Sequence, residues 1–381
     1  MKTSALNRRN FIKNTGSLVA GLAVTSALPN RAGAQQRDLA RGASSAEPIR
    51  LGSNENNYGP SPLAIMAVMQ NTKRMLRYPH TESDRLLTAI AAKEGVTKEN
   101  LFLGTGSADV LEGLADWIGA KKGEVVTSAF TFNFFATAAK RRGATLIEVP
   151  LTSDLFNDID TMAAKVTSAT TCVYLVNPNN PTGTLLPAAK LRATVIEMAR
   201  KCPVVVDEAY LEFADDFAGS TLVGLVKEGH NVIITRTFSK IYALAGERLG
   251  YGVMPAAVAK EAFGAYPLQN GFRANMLGVL AATASLGDTG FVEETRLKLK
   301  AERDKFCALL GKLGRKYAPP QGNFVFFHVG MSAKDFSLKM RAENIVINAG
   351  YPQMPDWARI TIGTPEEMVI ASAAVEKILT A

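Results

Sequence analysis

Three short apolar runs constrain the fold of this chain more than any other feature. They occupy residues 172–176, 204–206 and 232–234, and none of them alternates apolar with polar residues. Such runs are typical of strands in a parallel sheet covered on both faces, because a face open to water would place polar residues at every second position. Ligands of open α/β sheets bind beside the carboxyl ends of the strands. The sequence therefore predicts an α/β fold with a binding site just after these runs.

Polar residues follow the third run directly. Thr235 begins a short polar turn that ends at Ser239 and Lys240, and Arg248 comes eight residues later in a segment flanked by glycines. A hydroxyl, an amine and a guanidinium gathered in this way suit a phosphate group with a carbonyl carbon beside it. If this stretch stood alone, a surface lysine after a core strand would be the simpler interpretation.

The other two runs deliver complementary groups. The segment 177–183 (NPNNPTG) follows the first run, and Asp207 and Tyr210 follow the second. A carboxylate can pair with a pyridine nitrogen, an amide and a phenol can pair with a phenolic oxygen, and a lysine can hold an aldehyde. Those are the functional groups of pyridoxal 5'-phosphate, which we therefore predict as the cofactor.

In these motifs the chain resembles the fold-type I, class I/II aminotransferases, and most of all the histidinol-phosphate aminotransferase family. Further matches to the family's motifs reach from residue 50 to the end of the chain: residues 54–60 (NENNYGP, with Asn57 for the usual proline), 77–79 (RYP), 104–109 (GTGSAD), 130–135 (FTFNFF) and 359–364 (RITIGT). The resemblance implies the fold of PLP-dependent transferases of fold type I. We expect an arm at 35–75, a large domain with a mainly parallel seven-stranded sheet at 76–275, and a small α+β domain at 276–381.

The resemblance also assigns catalytic roles. Lys240 is expected to hold the aldehyde carbon of the cofactor and then to act as the base at Cα of the substrate. Asp207 is expected to keep the ring nitrogen protonated, since an opposite charge at contact distance favours the charged form. Tyr210 and Asn180 are expected to hydrogen-bond the phenolic oxygen.

Other matched positions imply contacts with the cofactor phosphate. They are the main-chain N–H groups of Ser107 and Ala108, the side chains of Ser239 and Arg248, and Tyr78 reaching across from the second subunit of a homodimer. The first pair would lie at the start of a helix after a glycine turn, where free N–H groups and the helix dipole favour anions. Shared active sites would make the homodimer obligatory for activity.

The remaining predicted contacts concern the ring and the substrate. Phe132 is expected to stack on the pyridine ring, although a core phenylalanine would give the same pattern. Arg359 is expected to hold the α-carboxylate of the substrate, since a planar guanidinium matches a carboxylate; a surface arginine on an edge strand is the alternative. Tyr58 and Asn180 complete the predicted substrate contacts, with an ordinary Gly/Pro loop as the alternative for the segment of Tyr58.

The resemblance implies a transaminase (EC 2.6.1 type). Such an enzyme moves an amino group between an L-amino acid, or an amino alcohol phosphate, and a 2-oxo acid such as 2-oxoglutarate. The family usually carries a phosphate-binding arginine where this chain has Asn348. We therefore expect an amino acid donor with an aromatic or apolar side chain rather than histidinol phosphate. Phe135, in place of a tyrosine, also points to an apolar pocket, whereas Arg273 could instead receive an acidic side chain.

Two other functions remain open from the sequence. The same fold supports PLP-dependent lyases and amino-acid decarboxylases, which the products formed from each amino acid would distinguish. A non-catalytic periplasmic amine-binding protein is the alternative from another class. The complete set of Asn180, Asp207, Tyr210, Lys240 and Arg359 argues against the second, because binding alone needs no reactive lysine.

Residues 1–34 resemble a twin-arginine signal peptide. Arg8 and Arg9 open the segment RRNFIK, a mild apolar stretch follows at 17–28, and residues 32–34 (AGA) suit a cleavage site. The apolar stretch is too short and too rich in small residues to span a bilayer. We therefore expect export to the periplasm by the twin-arginine machinery, with a disordered basic terminus as the alternative.

The net charge of +8 gives no argument for nucleic acid as a partner. Five of these charges lie in residues 1–34, which contain no acidic residue, so the rest of the chain carries only +3. The three histidines are scattered without metal-ligand spacing, and we expect no metal site. Cys172 and Cys202 each begin a predicted strand; a disulfide between them is conceivable in the periplasm, although buried free thiols fit as well.

Overall fold

The computed structural model describes residues 47–264 and 273–380. The predicted signal peptide, residues 1–34, and the predicted arm as far as residue 46 lie outside the described residues. The strands, numbered in chain order, are β1 (Ile49–Leu51), β2 (Leu101–Gly104), β3 (Glu124–Ser128), β4 (Thr145–Val149), β5 (Thr170–Val176), β6 (Val204–Asp207), β7 (Val232–Thr237), β8 (Gly250–Val253), β9 (Phe324–His328), β10 (Ile345–Tyr351) and β11 (Met354–Thr361).

The helices surround and connect these strands. In chain order they are α1 (Pro62–Asn71), α2 (His80–Glu94), α3 (Ser107–Gly119), α4 (Phe134–Arg141), α5 (Ile159–Ala164), α6 (Ala188–Ala199), α7 (Phe217–Ser220), α8 (Val223–Lys227), α9 (Ala256–Phe263), α10 (Met276–Gly287), α11 (Thr289–Lys312), α12 (Ala333–Ala342) and α13 (Pro365–Thr380). Short 3₁₀ turns lie at Thr72–Leu76, Lys98–Asn100, Leu211–Phe213 and Ala245–Glu247.

Side-chain caps fix where several helices begin. The hydroxyl of Ser61 accepts a hydrogen bond from the N–H of Ala64, and proline at the first position of α1 has no N–H to leave unpaired. The Asn275 side chain accepts from the N–H of Gly278 at the start of α10. These starts therefore follow from local sequence.

The larger sheet has seven strands in the order β2-β8-β7-β6-β5-β3-β4. β8 runs opposite to the other six strands of this sheet, and β5, β6 and β7 are buried along almost their whole length. A strand with helices on both faces must be apolar throughout, which is what the three runs in the sequence indicated. The predicted α/β fold with a mainly parallel seven-stranded sheet is confirmed.

The register of the three central strands sets the floor of the site. Val176 at the end of β5 lies beside Asp207 at the end of β6, which in turn lies beside Thr235 on β7. In-register parallel pairing aligns the carboxyl ends of neighbouring strands at one edge of a sheet. The polar residues that follow these strands consequently start from a common line.

A second, smaller sheet has four strands in the order β1-β10-β11-β9. β1 pairs parallel with β10, and the other pairs are antiparallel. Arg359 lies on β11 directly opposite Asn348 on β10. The small sheet therefore carries both residues on which the prediction of the substrate depends.

A fully buried arginine lies within the large sheet, one strand away from Asp207. Arg236 on β7 pairs with Glu208 at 2.7 Å, with Glu212 at 3.3 Å and with Glu94 at 3.8 Å. Burial opposes its charge, but the three carboxylates outweigh that effect and hold the pKa of Arg236 well above its usual value. The charge of Glu208 is thus neutralised by Arg236, whereas the adjacent Asp207 forms no ion pair with any residue that the structure describes.

The described ranges, 47–264 and 273–380, contain neither a candidate membrane span nor a candidate metal site. No helix in them is long and apolar enough to cross a membrane. They also hold no group of three or more His, Cys, Asp or Glu side chains that could bind a metal ion.

Candidate active site

A cavity of about 630 Å³ opens at the carboxyl ends of β5, β6 and β7. It brings together most of the residues that the sequence predicted. Those that line it are Ser107, Ala108, Phe132, Asn180, Asp207, Tyr210, Ser239, Lys240, Arg248 and Arg359. Of the predicted cofactor and substrate contacts, Tyr58 and Tyr78 do not line it.

Lys240 presents its amine in this cavity. Its Nζ donates to the main-chain carbonyls of Ser53 at 3.2 Å and Asn54 at 3.1 Å, and it lies 5.3 Å from the centre of the Tyr210 ring. Asn54 has a positive φ of 54°, a conformation that asparagine tolerates better than most residues. The segment around residues 53–54 thus turns its carbonyls toward the amine and holds it over the cavity floor.

Asp207 is the buried carboxyl group on the floor. It is 3% exposed, and its Oδ1 accepts hydrogen bonds from the hydroxyl of Thr235 at 3.0 Å and the N–H of Ala209 at 3.2 Å. Burial raises the pKa of Asp207 to about 6, while these hydrogen bonds oppose the shift. A cationic N–H beside this group would lower its pKa and compensate for its burial.

The hydroxyl of Tyr210 receives two amide donors. Asn54 Nδ2 lies 3.1 Å from it and Asn180 Nδ2 lies 3.4 Å from it. Because both amides donate, the proton of the hydroxyl remains available for an acceptor in the cavity. Asn180 belongs to the NPNNPTG loop, whose Asn179 ties it down through hydrogen bonds to the carbonyl of Phe130 and the hydroxyl of Thr182.

The opposite end of the cavity suits a phosphate. Arg248 donates to the hydroxyl of Ser239 at 3.2 Å and to the carbonyl of Ala245 at 2.9 Å, and it adopts a left-handed conformation with φ of 53°. It lies so close to Gly106 (φ +83°) that a Cβ there would meet its Nη2 at 2.5 Å. α3 begins at the next residue, Ser107, so helix N–H groups, a hydroxyl and a guanidinium converge.

Arg359 forms the side of the cavity that belongs to the small sheet. Its Nη1 donates to Asn180 Oδ1 at 2.5 Å and its Nη2 donates to the carbonyl of Gly52 at 2.8 Å. The guanidinium lies over the ring of Phe324, with 5.4 Å between its central carbon and the ring centre. Its Nε is buried without a hydrogen-bond partner. The side chain is therefore held firmly and keeps a donor for a further acceptor.

The structure does not bring Tyr58 to the cavity. Its hydroxyl is buried, and the pKa of Tyr58 is raised to about 12 by burial and by the nearby carboxylates of Glu302, Glu366 and Glu367. The long-range packing of its loop directs the side chain toward α11 and α13. The sequence prediction of a substrate contact for Tyr58 finds no support in this position.

Two further expectations about the substrate pocket need correction. Phe135, on α4, lies fully buried against Tyr174 of β5 and does not line the cavity, because the helix turns its side chain into the core. Arg273 forms an ion pair with Asp109 at 3.3 Å and is not among the residues that line the cavity either. Neither residue is therefore placed to select the side chain of a substrate.

Several residues of the site were missed from the sequence. Asn54 belongs to the matched NENNYGP motif, which could have pointed to it, and Thr235 follows the third apolar run directly. Tyr351 and Gln353 also line the cavity, and the only signal for them was Gly350, since an isolated glycine inside a strand suggests a bulge.

These residues fit pyridoxal 5'-phosphate. Asp207 is a buried carboxyl group without a cationic partner among the described residues, which a protonated ring nitrogen would supply. Tyr210 can donate to a phenolic oxygen, and the cradle of Gly106, Ser107 and Arg248 matches a phosphate. Lys240 has its amine inside the same cavity. Phe132, which is 40% exposed and lines the cavity, offers a ring face for stacking.

Comparison with known proteins agrees with this chemistry. The sequence pattern of the family described as "Aminotransferase class I and II" matches residues 46–375. The match covers more than half of the chain and includes every residue that lines the cavity.

Curated relatives and solved structures add detail. The chain is 35% identical to histidinol-phosphate aminotransferase 1 of Cupriavidus pinatubonensis, over 92% of this chain and 94% of that protein. It is 33% identical to the histidinol-phosphate aminotransferase of Moorella thermoacetica over 99% of both. Its structure is similar to that of histidinol-phosphate aminotransferase from Sinorhizobium meliloti in complex with pyridoxal-5'-phosphate, with a TM-score of 0.79 and 28% identity over 95% of this chain and 99% of that one.

The raised pKa of Asp207 predicts a pH dependence of stability in the cofactor-free protein. The pKa of Asp207 in the folded protein (about 6) exceeds its usual value of 3.8, so the protonated carboxyl group favours the folded state. This contribution to the free energy of unfolding is fully present below about pH 4 and is lost as pH rises through 6. Asp207→Asn removes this dependence. Between pH 4.5 and 7.5 we expect the parent to lose about 2 kcal/mol of unfolding free energy relative to the variant.

Urea unfolding of both cofactor-free proteins across this pH range measures the difference. Asp84→Asn, at an exposed carboxylate paired with Lys98, is the matched control and should follow the parent. Parallel pH profiles of stability for the parent and Asp207→Asn would contradict a raised pKa of Asp207.

Proposed function

The chain belongs to the class I and II aminotransferase family, and we propose that its amino donor is an L-α-amino acid with an uncharged side chain. The protein is a pyridoxal 5'-phosphate-dependent transaminase. The proposed acceptor is a 2-oxo acid such as 2-oxoglutarate. The observation that carries the proposal is the distribution of charge in the cavity, where each cation has a separate task.

The charged side chains that line the cavity are few among the described residues: Lys240, Arg248, Arg359, Asp207 and Glu55. Arg248 belongs to the phosphate cradle, Lys240 is the reactive amine, and Arg359 is the remaining cation. Glu55 pairs with Arg50 at 3.2 Å. Within residues 47–264 and 273–380, no further cation remains on the lining for an acidic side chain of a substrate.

The rest of the lining suits an uncharged side chain. Phe130, Phe132 and Tyr351 are aromatic, and Asn348 and Gln353 are polar without charge. Aromatic surfaces gain from burying apolar groups. An aromatic or apolar amino acid therefore fits the pocket better than aspartate or glutamate.

Asn348 makes the site beside Arg359 less suited to a substrate phosphate than to a substrate carboxylate. It lies directly opposite Arg359, so this part of the site contains one guanidinium. A second arginine in place of Asn348 would add a charge-assisted hydrogen bond worth about 1.5 to 3 kcal/mol. A single guanidinium matches the single charge of an α-carboxylate.

The chain's own residues account for the remaining requirements of the reaction. Bound pyridoxal 5'-phosphate supplies an electron sink for the carbon that loses its proton. We assign Nζ of Lys240 as the group that takes the proton from Cα and returns it. Asp207 would stabilise a proton on the ring nitrogen, and Tyr210 with Asn180 would orient the phenolic oxygen. Arg359 fixes the α-carboxylate and so sets which bond at Cα faces the base.

We also propose that the protein acts as a homodimer. Four large apolar side chains near the end of α1 and after it are strongly exposed in the single chain: Met69, Met75, Leu76 and Tyr78. Met75, Leu76 and Tyr78 line a groove together with Ala274, Asn275, Met276 and Leu277. An exposed patch of this kind favours a protein partner, and the position of Tyr78 is consistent with reaching the phosphate of a second subunit.

The location of the protein in the cell is a separate proposal. The twin-arginine motif at Arg8 and Arg9, the short apolar stretch and the small residues at 32–34 support export to the periplasm. Export of a folded protein would allow the cofactor to bind in the cytoplasm first.

A half-reaction screen tests the proposed donor. Single amino acids are added to the cofactor-loaded protein, and the absorbance of the bound cofactor is followed. We expect aromatic or apolar L-amino acids to shift the absorbance and 2-oxoglutarate to restore it. Aspartate, glutamate and histidinol phosphate should react at least roughly 10-fold more slowly, because the described part of the lining offers no cation beyond Lys240, Arg248 and Arg359.

Lys240→Ala is the matching test of the chemistry. It should lower turnover by at least roughly 10²-fold while amino acid binding persists, since a general base is lost but Arg359 remains. Lys98→Ala, at an exposed lysine paired with Asp84, should leave turnover unchanged. Carbon dioxide or another elimination product, formed without a restorable shift, would instead favour a decarboxylase or a lyase. Unchanged turnover in Lys240→Ala would contradict the enzyme mechanism.

Leu76→Asp tests the homodimer. A buried charge in the proposed interface should halve the mass measured by light scattering and lower activity at the same time, because each site needs Tyr78 of its partner. Val369→Asp, at an equally exposed apolar position on α13, should change neither property. A parent that is fully active as a monomer would rule the homodimer out.

Replacing both Arg8 and Arg9 by lysine tests export. The double variant should accumulate in the cytoplasm with an uncleaved N-terminus, as shown by cell fractionation and intact mass, because the machinery reads the arginine pair. Arg31→Lys, in the same segment but outside the pair, should be exported like the parent. Equal distribution of the double variant and the parent would contradict the signal.

A further inference from the structure

Tyr351 lines the cavity but has no role in the mechanism described above. It lies at the end of β10, and its hydroxyl is buried without a hydrogen-bond partner. Its ring packs edge-on against Phe130 at 5.6 Å and Phe326 at 5.4 Å between ring centres. The position of the hydroxyl is thus fixed by packing on two sides.

A bulge turns this side chain toward the cavity. In a regular strand Tyr351 would share a face with Ala349 and Ile347, which pack against the core. The pairing with β11 shifts between Ala349 and Tyr351, and the intervening Gly350 has φ of +98°. Across this interval one residue of β10 opposes three residues of β11, and the left-handed Gly350 interrupts the regular alternation of faces. Tyr351 therefore joins Asn348 on the lining.

Tyr351 is close to the arginine that is expected to hold the substrate: both line the cavity, and Phe326, which packs against Tyr351, lies directly opposite Arg359 on β9. Burial raises the pKa of Tyr351, and Arg359 is close enough to oppose that shift. The hydroxyl is therefore neutral and can donate its proton. Nε of Arg359 is also buried without a partner. Buried donors in folded proteins are rarely left unpaired, so two neighbouring ones indicate a missing acceptor.

We propose that the Tyr351 hydroxyl donates a hydrogen bond to the acid group of the substrate beside Arg359, and that this pair selects a carboxylate over a phosphate. The inference rests on the proposed transamination of an α-amino acid and names a specificity-determining residue for it. The unpaired Nε–H of Arg359 and the neutral hydroxyl of Tyr351 offer two donors and a single positive charge. A carboxylate has two oxygens and a single negative charge, whereas a phosphate ester approaches two charges and has three terminal oxygens.

Asn348 completes this selection. It lies opposite Arg359 and near Tyr351 on the same strand, where it adds polarity without charge. The hydroxyl of Tyr351 thus supplies the second donor that a second cation could otherwise provide. A dianionic group in this position would have Arg359 as a partner for one charge and no cation for the other.

Tyr351→Phe is the decisive variant, because it removes one oxygen and keeps the aromatic packing. The probes are two unreactive ligands with the same side chain, 3-phenylpropanoate and 2-phenylethylphosphonate, titrated into the cofactor-loaded protein as competitive inhibitors. We expect the parent to bind the carboxylate more tightly than the phosphonate. Tyr351→Phe should weaken the carboxylate roughly 10-fold and change the phosphonate by less than about 3-fold. For the reacting donor, KM should rise by a similar factor while kcat stays within about 2-fold.

Two further variants sharpen the test. Asn348→Arg should reverse the preference by tightening the phosphonate roughly 10-fold, and it does so without removing any side chain from the core. Tyr317→Phe, at a partly exposed tyrosine outside the cavity, should leave both inhibitors unchanged.

The outcomes separate this inference from the proposed function. Unchanged carboxylate affinity in Tyr351→Phe, in an enzyme that still transaminates an uncharged amino acid, would overturn the role of Tyr351 and leave the function standing. A parent that prefers the phosphonate would also overturn it. Cofactor loading without any reaction of amino acids in the half-reaction screen would overturn the function itself.

Discussion

The parallel pairing of β5, β6 and β7 is the constraint on which the rest of the structure depends. It aligns Val176, Asp207 and Thr235 side by side, so that three loops leave the sheet from one edge. The hydroxyl of Thr235 then reaches Asp207 within the same ladder. Because these strands are buried on both faces, a shift of register would move polar groups into the core. The precision of the site therefore derives from apolar packing.

Connections between distant segments close the site above this floor. Asn54 donates through its N–H to Thr361 on β11 and through its side chain to Tyr210 after β6, while Asn323 donates to its carbonyl. A residue from the first described loop thereby joins both sheets. Asn54 and Arg248 hold left-handed conformations, which cost free energy and persist only where surrounding contacts determine them. Both lie at the site, where fixed donors and acceptors matter most.

Charge is distributed so that each ionised group in the cavity has one task. Arg236 pairs with Glu208, Glu212 and Glu94, whereas the adjacent Asp207 has no ion pair among the described residues and can meet a cationic ring nitrogen. Arg248 lies in the phosphate cradle and contacts Ser239, whereas Arg359 lies on the side of the small sheet and contacts Asn180. This separation gives the cavity a defined orientation for a ligand that carries two acidic groups. It also leaves the aromatic wall free to determine the side chain of the donor.

The sequence by itself determined the sheet and most of the site. Continuous apolar runs require burial on both faces, and the residues after them must meet at one edge, so Asp207, Tyr210 and Lys240 followed from local patterns. Only the tertiary structure decided the position of Tyr58, the pairing of Arg273 with Asp109, and the entry of Asn54 and Tyr351 into the site. Those outcomes depend on contacts between residues far apart in the chain, such as Asn54 with Thr361, and on a bulge at Gly350. Periodicity within a segment carries no information about such contacts, because they are fixed only when the two sheets pack.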